Sequence, residues 1–115
     1  FMQWTNDQPI YQQVRDHVVS LIIDDVLKSG DPIPSVRQMA VEGGGNPLTV
    51  SKAYQELVDL KIVEKRRGLG MFITEHAKKE LLKLEKSKFL KNEWPNTLKK
   101  ADSLGIDLKE LLDKK

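Results

Sequence analysis

Few side chains in this 115-residue sequence could do covalent chemistry. The absence of cysteine excludes thiol nucleophiles, thiolate zinc sites and disulfides. The two histidines, His17 and His76, lie 59 positions apart along the chain, a spacing that is not that of a metal-binding motif. Asp24 and Asp25 are neighbours on a predicted helix, where adjacent side chains point about 100° apart and do not converge as a catalytic pair. The sequence therefore predicts no enzyme, and no bound metal or cofactor.

A second group of residues suits recognition of a polyanion. Asn46, Thr49 and Ser51 are short hydrogen-bonding side chains at the predicted start of a helix, where free backbone amides and the helix dipole attract phosphate. Lys52 follows them and is expected to pair with phosphate. Further along, Arg66-Arg67-Gly68 lies at the tip of a predicted hairpin, and glycine lets a backbone approach the minor groove of DNA closely. Since a helix fits the major groove, duplex DNA is the predicted partner.

The charge distribution places a boundary within the chain. The net charge of +2 is too small to predict a polyanion partner by itself, so DNA binding must depend on local placement of cations. Eight basic and ten acidic side chains give residues 1–76 a net charge of −2, whereas eleven basic and seven acidic ones give residues 77–115 a net charge of +4. This change predicts a DNA-binding domain at 1–76 and a helical region at 77–115.

Three predicted helices precede the hairpin. The first runs from Ile10 to Lys28, with apolar residues at the helical period. The second begins at Ser35, which forms a capping-box pattern with Gln38, and it ends at three consecutive glycines. The third has Asn46 as its N-cap and Pro47 at its first position. Two short helices joined by a glycine turn are typical of a helix-turn-helix.

The remaining elements complete the predicted fold class. Two β-prone runs, 62–65 and 71–74, predict the hairpin, and a lysine-rich helix over 75–93 is expected to end at Trp94-Pro95. Two short helices then follow, the second capped by Asp107. The fold class is mainly α with a small β-hairpin: a winged helix-turn-helix followed by a short C-terminal helical dimerisation region. The longest apolar run is three residues, so no membrane span and a cytoplasmic location are expected.

Four segments, in this order, resemble the DNA-binding domain of the GntR family of bacterial transcription regulators. The segments are PIYQQV from Pro9, IPSVRQMA from Ile33, NPLTVSKAYQEL from Asn46 and RRGLGMFI from Arg66. The resemblance covers residues 9–74. The short lysine-rich tail resembles the YtrA-type subgroup, whose members lack a large ligand-sensing domain and dimerise through brief C-terminal helices.

The resemblance implies a sequence-specific DNA-binding regulator, more often a repressor, that binds a pseudo-palindromic operator as a homodimer and in this subgroup commonly controls a transporter operon. It implies that Ser35 and Arg37 contact the DNA backbone or base edges, and that Arg67 and Gly68 enter the minor groove. Leu48, near the start of the third helix, is expected to touch a thymine methyl group. An effector ligand is not indicated. The alternative function is a winged-helix protein-interaction module whose basic wing binds an acidic partner.

The turn before the wing and the C-terminal leucines each give a further expectation about the structure. The family usually has glycine between the recognition helix and the wing, where this chain has Lys61. If Lys61 takes a positive φ, the cost is about 1–2 kcal/mol. The C-terminal leucines either pack on the chain's own first helix or form a two-fold interface with a second copy, and the shortness of the tail favours the interface.

Overall fold

The computed structural model describes residues 8–43 and 45–114, which form six α-helices, one π-helical segment and one β-hairpin. In chain order these are α1 (Ile10–Ile23), α2 (Val36–Gly43), α3 (Pro47–Asp59), β1 (Val63–Arg66), β2 (Gly70–Ile73), α4 (Ala77–Lys88), the π-helical segment Phe89–Glu93, α5 (Trp94–Ser103) and α6 (Leu108–Asp113). The predicted class, mainly helical with a small hairpin, is confirmed. The chain divides into two compact units between Leu82 and Lys83. Within the described ranges no helix combines the length and apolarity that a membrane crossing needs.

The first unit has a single apolar core. The apolar faces of α1, α2 and α3 meet there, because each helix carries buried residues at helical spacing. The hairpin contributes Val63 and Ile73, and the first turns of α4 contribute Ala77 and Leu81. The structural division therefore falls beyond residue 76, while the division of function between 1–76 and 77–115 stays a prediction.

Helix α1 is shorter than predicted. It ends at Ile23 and not at Lys28. Asp25 takes a φ of +62°, which no right-handed helix contains, and the N–H groups of Val26 and Leu27 both donate to the carbonyl of Leu21. Val26, which the apolar period placed on the buried face, is 63% exposed. The period continued past the true end because it does not detect a backbone reversal.

The caps of α2 and α3 match the sequence. The Ser35 hydroxyl accepts a hydrogen bond from the Gln38 N–H at 3.1 Å, while the Gln38 side chain donates to Glu42 instead of completing the capping box. The Asn46 side chain accepts from the Leu48 N–H at 2.8 Å, and Pro47 opens α3. Both predicted N-terminal caps, Ser35 and Asn46, are therefore confirmed. Of the predicted capping box, the bond to the Ser35 hydroxyl forms and the reciprocal bond from the Gln38 side chain does not.

The hairpin forms the wing of the fold. Strands β1 and β2 are antiparallel, with Val63 opposite Ile73 and Arg66 opposite Gly70. The Leu69 N–H donates to the Arg66 carbonyl at 2.9 Å, and Gly68 has a φ of +76° in this turn. Since this conformation strains any residue with a Cβ, glycine is required at the tip.

The chain segment that enters α2, residues 30–34, lies along β2. We refer to it as the entry segment. The N–H groups of Gly30 and Ile33 donate to the carbonyls of Ile73 and Met71, at 2.9 and 3.0 Å, and the Ile73 N–H donates to Asp31. Through these hydrogen bonds the entry segment pairs with β2 and extends the wing sheet by a short third stretch of extended chain. The start of α2 is thereby joined to the wing.

The second unit corrects one prediction. The helix that was expected to end at Trp94-Pro95 continues through both residues as α5. The π-helical segment makes this possible, because the Trp94 N–H bonds the Phe89 carbonyl five residues back and Pro95 falls in the first turn of α5, where a missing N–H costs little. The predicted Asp107 cap of α6 is confirmed by its bond from the Glu110 N–H.

Candidate nucleic-acid interface

Helix α3 presents a continuous exposed stripe. Leu48, Ser51, Lys52 and Gln55 follow the spacing i, i+3, i+4, i+7 and are all exposed, with Leu48 at 79%. Thr49 lies beside the stripe and is half-buried. The opposite face of the helix is buried in the core. The helix is therefore held from behind and can lay one complete face on a partner.

The start of α3 carries its recognition chemistry on side chains. Pro47 has no N–H, the Leu48 N–H donates to the Asn46 side chain, and the Thr49 N–H donates to the Asn46 carbonyl at 2.9 Å. The prediction that free backbone amides attract phosphate here is therefore wrong, because the cap and the first helical turn already use them. Among the residues that the structure describes, the side-chain NH₂ of Asn46 and the hydroxyls of Thr49 and Ser51 have no hydrogen-bond partner and remain as groups for a ligand.

Two residues of the stripe are positioned by neighbours. The Lys52 ammonium lies 4.0 Å from the centre of the Tyr11 ring, a cation–π contact that orients it from α1. The Gln55 amide donates to Asp59 at 2.9 Å. Gln55 is not among the contact residues that the sequence predicts, although its position seven residues after Leu48 is the signal that places it on the same stripe.

The four arginines divide into two pairs. Arg15 binds Glu56 at 2.7 Å and Asp16 at 3.2 Å. Burial lowers the pKa of Arg15, but the hydrogen bond to Glu56 and the other contacts with the two carboxylates outweigh burial, so the pKa of Arg15 is raised overall. Arg66 binds Glu64 at 2.8 Å and stacks over a wing phenylalanine. By contrast, Arg37 and Arg67 are exposed and bind no acidic group in the part of the chain that the structure describes. These two are the guanidinium groups available to a partner.

A cleft of about 500 Å³ separates the wing from the start of α2. It brings Ser35 to the same cavity as Arg66, Arg67 and Gly68 of the wing tip. The predicted contact residues of α3 do not line it. The wall is largely apolar, with a basic side: Pro32, Ile33, Pro34, Val36, Tyr54, Lys65, Leu69, Gly70 and Met71 complete the lining.

Tyr54 lies at the junction of α3 and this cleft. Its side chain is 1% exposed, so Tyr54 belongs to the core of the first unit. The hydroxyl donates to the Pro34 carbonyl at 2.7 Å. Burial, and secondarily the charge of Glu42, raise the pKa of Tyr54, so that the hydroxyl remains a proton donor well above neutral pH.

The profile of the family described as "Bacterial regulatory proteins, gntR family" matches residues 10–73. The chain belongs to the GntR family. It is similar to the HTH-type transcriptional regulator YhcF of Bacillus subtilis, with 36% identity over 111 residues that cover 96% of this chain and 90% of the relative. It is also similar to the HTH-type transcriptional repressor YtrA of Bacillus subtilis, with 38% identity over 103 residues that cover 90% and 78% of the two chains.

A solved structure of a GntR-family transcriptional regulator from Listeria monocytogenes has the same fold. Its TM-score is 0.77, with 29% sequence identity over 95% of this chain and 94% of the other. The family consists of DNA-binding transcriptional regulators and not of enzymes. Family membership therefore favours the DNA-binding regulator over the protein-interaction module, the two functions that the sequence left open.

Proposed function

We propose that this GntR-family regulator is a repressor that binds a pseudo-palindromic operator as a homodimer, with α3 in a major groove and the wing tip in the adjacent minor groove. The single observation that supports this docking is the cleft. It has Ser35, the cap of α2, on the same cavity as Arg67 and Gly68 of the wing tip. One partner surface can therefore touch the helix-turn-helix and the wing together.

The side chains at the start of α3 make different kinds of contact with DNA. Leu48 supplies an apolar contact for a thymine methyl, and Thr49 and Ser51 supply hydroxyls for base edges or phosphates. Lys52 binds phosphate from its position over the Tyr11 ring. Asn46 adds its free amide at the end of the helix.

Arg37 is the strongest candidate for base-specific recognition in the helix-turn-helix. It is exposed on α2, two residues after the Ser35 cap, and carries no ion pair among the residues that the structure describes. A guanidinium can grip guanine by a two-point contact, which is worth about 1–3 kcal/mol of discrimination. Arg67 plays the corresponding part in the minor groove, whereas Arg66 is partly neutralised by Glu64.

The second unit supports the homodimer. Its exposed apolar side chains, within residues 83–114, are Leu84, Phe89, Leu90, Leu98, Leu104, Ile106, Leu111 and Leu112. A unit of this size has too little interior to bury them alone. A second copy covers them in a two-fold interface, and this interface sets the spacing of two half-sites.

Our proposal for the regulated genes is supported by the resemblance to the YtrA-type subgroup and by the similarity to the repressor YtrA. We propose that the dimer acts in the cytoplasm, where it occludes the promoter of an operon that encodes a membrane transporter and the regulator itself. The promoter of the operon that contains the gene is the first duplex to test.

Selection of tightly bound duplexes from a random pool tests the proposal. We expect enrichment of a sequence with two inverted half-sites. In titrations of the enriched duplex, the logarithm of the affinity falls linearly with that of the salt concentration, with a slope of about 0.9 per phosphate neutralised. Enrichment of a single unrepeated half-site would contradict the dimer, and no enrichment at low salt would contradict sequence-specific binding.

A further inference from the structure

The cleft between the wing and α2 raises the question of what sets their spacing. On this side the packing is incomplete, because Arg67 lines the same cavity of about 500 Å³ as Ser35 and Val36. The DNA-facing parts of a docking surface must nevertheless be held to a fraction of an ångström for base recognition. Core packing of Ile33, Ile73 and Tyr54 holds the back of the cleft, and polar contacts there add directional positioning.

One carbonyl group lies where the three DNA-facing elements meet. The Pro34 carbonyl belongs to the entry segment, directly before the Ser35 cap of α2. The preceding residue, Ile33, donates its N–H to Met71 of β2 at 3.0 Å, which joins this point to the wing. The Tyr54 hydroxyl donates to the same carbonyl at 2.7 Å, which joins it to α3 across 20 positions of sequence.

The chemistry of this contact is suited to holding a position. Tyr54 is almost completely buried, so water does not compete for its hydroxyl. The bonded carbonyl precedes Ser35, whose peptide leads directly into the capped first turn of α2. A short hydrogen bond at this point therefore constrains α2 and the wing relative to α3.

We propose that Tyr54 is a positioning residue for DNA recognition: its hydroxyl, through the Pro34 carbonyl, holds α3 in register with the start of α2 and the wing. This inference rests on the proposed docking of both α3 and the wing on DNA. The hydroxyl is part of a buried side chain and already donates to Pro34, so we assign it no direct contact with DNA. It acts by keeping the recognition groups at the separation that one operator geometry requires.

The test uses Tyr54→Phe, which keeps the buried ring and removes only the hydroxyl. The matched control is Ile22→Val, which trims the same core from α1 and leaves the contact with Pro34 untouched. The affinities of the whole protein for the selected duplex and for a scrambled duplex are measured for each variant at a temperature where both are folded. We expect the ratio of the two affinities to fall about tenfold in Tyr54→Phe and to stay at the wild-type value in Ile22→Val.

Amide hydrogen exchange tests the same contact without DNA. In Tyr54→Phe the Ile33 and Ile73 amides, which join the entry segment to β2, are expected to exchange at least several-fold faster, while the Val18 amide in α1 keeps its rate. Unchanged exchange at Ile33 and Ile73 would overturn the proposal whatever the DNA result. An equal fall of the affinity ratio in both variants would also overturn it, since that result reflects stability alone.

The two proposals fail in distinguishable ways. If the wild-type protein selects no duplex, the proposed operator recognition fails, and the exchange rates still decide whether Tyr54 holds the entry segment. If the wild type discriminates between duplexes and Tyr54→Phe discriminates equally well, the positioning role fails and the regulator function stands.

Discussion

Replacement of Lys61 by glycine is expected to stabilise the protein. Lys61 lies between α3 and β1 with a φ of +63°, the left-handed conformation that strains a residue with a Cβ. Both of its backbone groups are used: its N–H donates to Val58 at 2.9 Å, and its carbonyl accepts from the Thr74 hydroxyl at 2.7 Å. Glycine keeps these two bonds and removes the strain. The turn is also where the family usually has glycine.

The expected size of the effect follows from two opposing terms. Relief of the left-handed strain contributes about 1–2 kcal/mol. The greater freedom of glycine in the unfolded chain costs about 0.4–1 kcal/mol. The side chain of Lys61 forms no ion pair within the described residues, so its loss adds little. The free energy of unfolding should therefore rise by about 0.5–1 kcal/mol, which corresponds to a few degrees in Tm.

Urea unfolding of the wild type, Lys61→Gly and Lys61→Ala separates strain from side-chain effects. Lys61→Gly should raise the midpoint with an unchanged m-value, whereas Lys61→Ala keeps the Cβ and should leave the midpoint near that of the wild type. An equal gain in the alanine variant would show that the lysine side chain, and not the backbone conformation, was unfavourable. A loss of stability in the glycine variant would refute the reasoning.

Three further outcomes are expected. Arg67→Ala should weaken binding of the selected duplex by about 1–2 kcal/mol, and Arg66→Ala should weaken it less, because Glu64 already binds the Arg66 guanidinium. Fluorescence-anisotropy titrations measure both losses, and equal losses would contradict this ranking. Leu90, which is 61% exposed, should be needed for assembly, so that Leu90→Glu sediments as a monomer; a dimeric variant would exclude it from the interface. Burial raises the pKa of Tyr54, so the contribution of the neutral hydroxyl to stability is present below about pH 10, the pKa of tyrosine in the unfolded chain, and is lost as the pH rises further. Above that pH the free energy of unfolding of the wild type should fall by about 1.4 kcal/mol per pH unit more than that of Tyr54→Phe. Parallel curves of unfolding free energy against pH for the two proteins would contradict this prediction.

The sequence predicted most of the local structure because its signals are local. The caps at Ser35, Asn46 and Asp107 depend on residues two or three positions away, and all three were confirmed. The hairpin and its glycine tip also follow from short-range patterns. The family resemblance predicted the winged helix-turn-helix, which the family match over 10–73 and the shared fold of the Listeria monocytogenes regulator confirm.

The errors arose where backbone geometry depends on atoms that a pattern does not contain. The apolar period continued past Asp25, whose positive φ ends α1. Trp94-Pro95 predicts a helix end because proline usually stops a helix, and the π-helical segment that accommodates it leaves no clear mark in composition.

The candidate site was predicted in its residue types but not in its contacts. Only the structure shows that Arg66 is bound to Glu64 and that Lys52 lies over the Tyr11 ring. The hydrogen bond from Tyr54 to Pro34 spans 20 positions, and no spacing rule predicts it. Such contacts depend on the packing of whole elements, which sequence periodicity does not specify.

Base-analogue interference on the selected duplex tests the central claim, that α3 and the wing occupy neighbouring grooves, most directly. Replacing guanine by 7-deazaguanine removes a major-groove acceptor, and replacing adenine by 2,6-diaminopurine adds an amino group to the minor groove. We expect each half-site to show major-groove interference at its centre and minor-groove interference immediately beside it, with the minor-groove signal lost in Arg67→Ala. Interference from one groove alone would contradict joint docking of α3 and the wing.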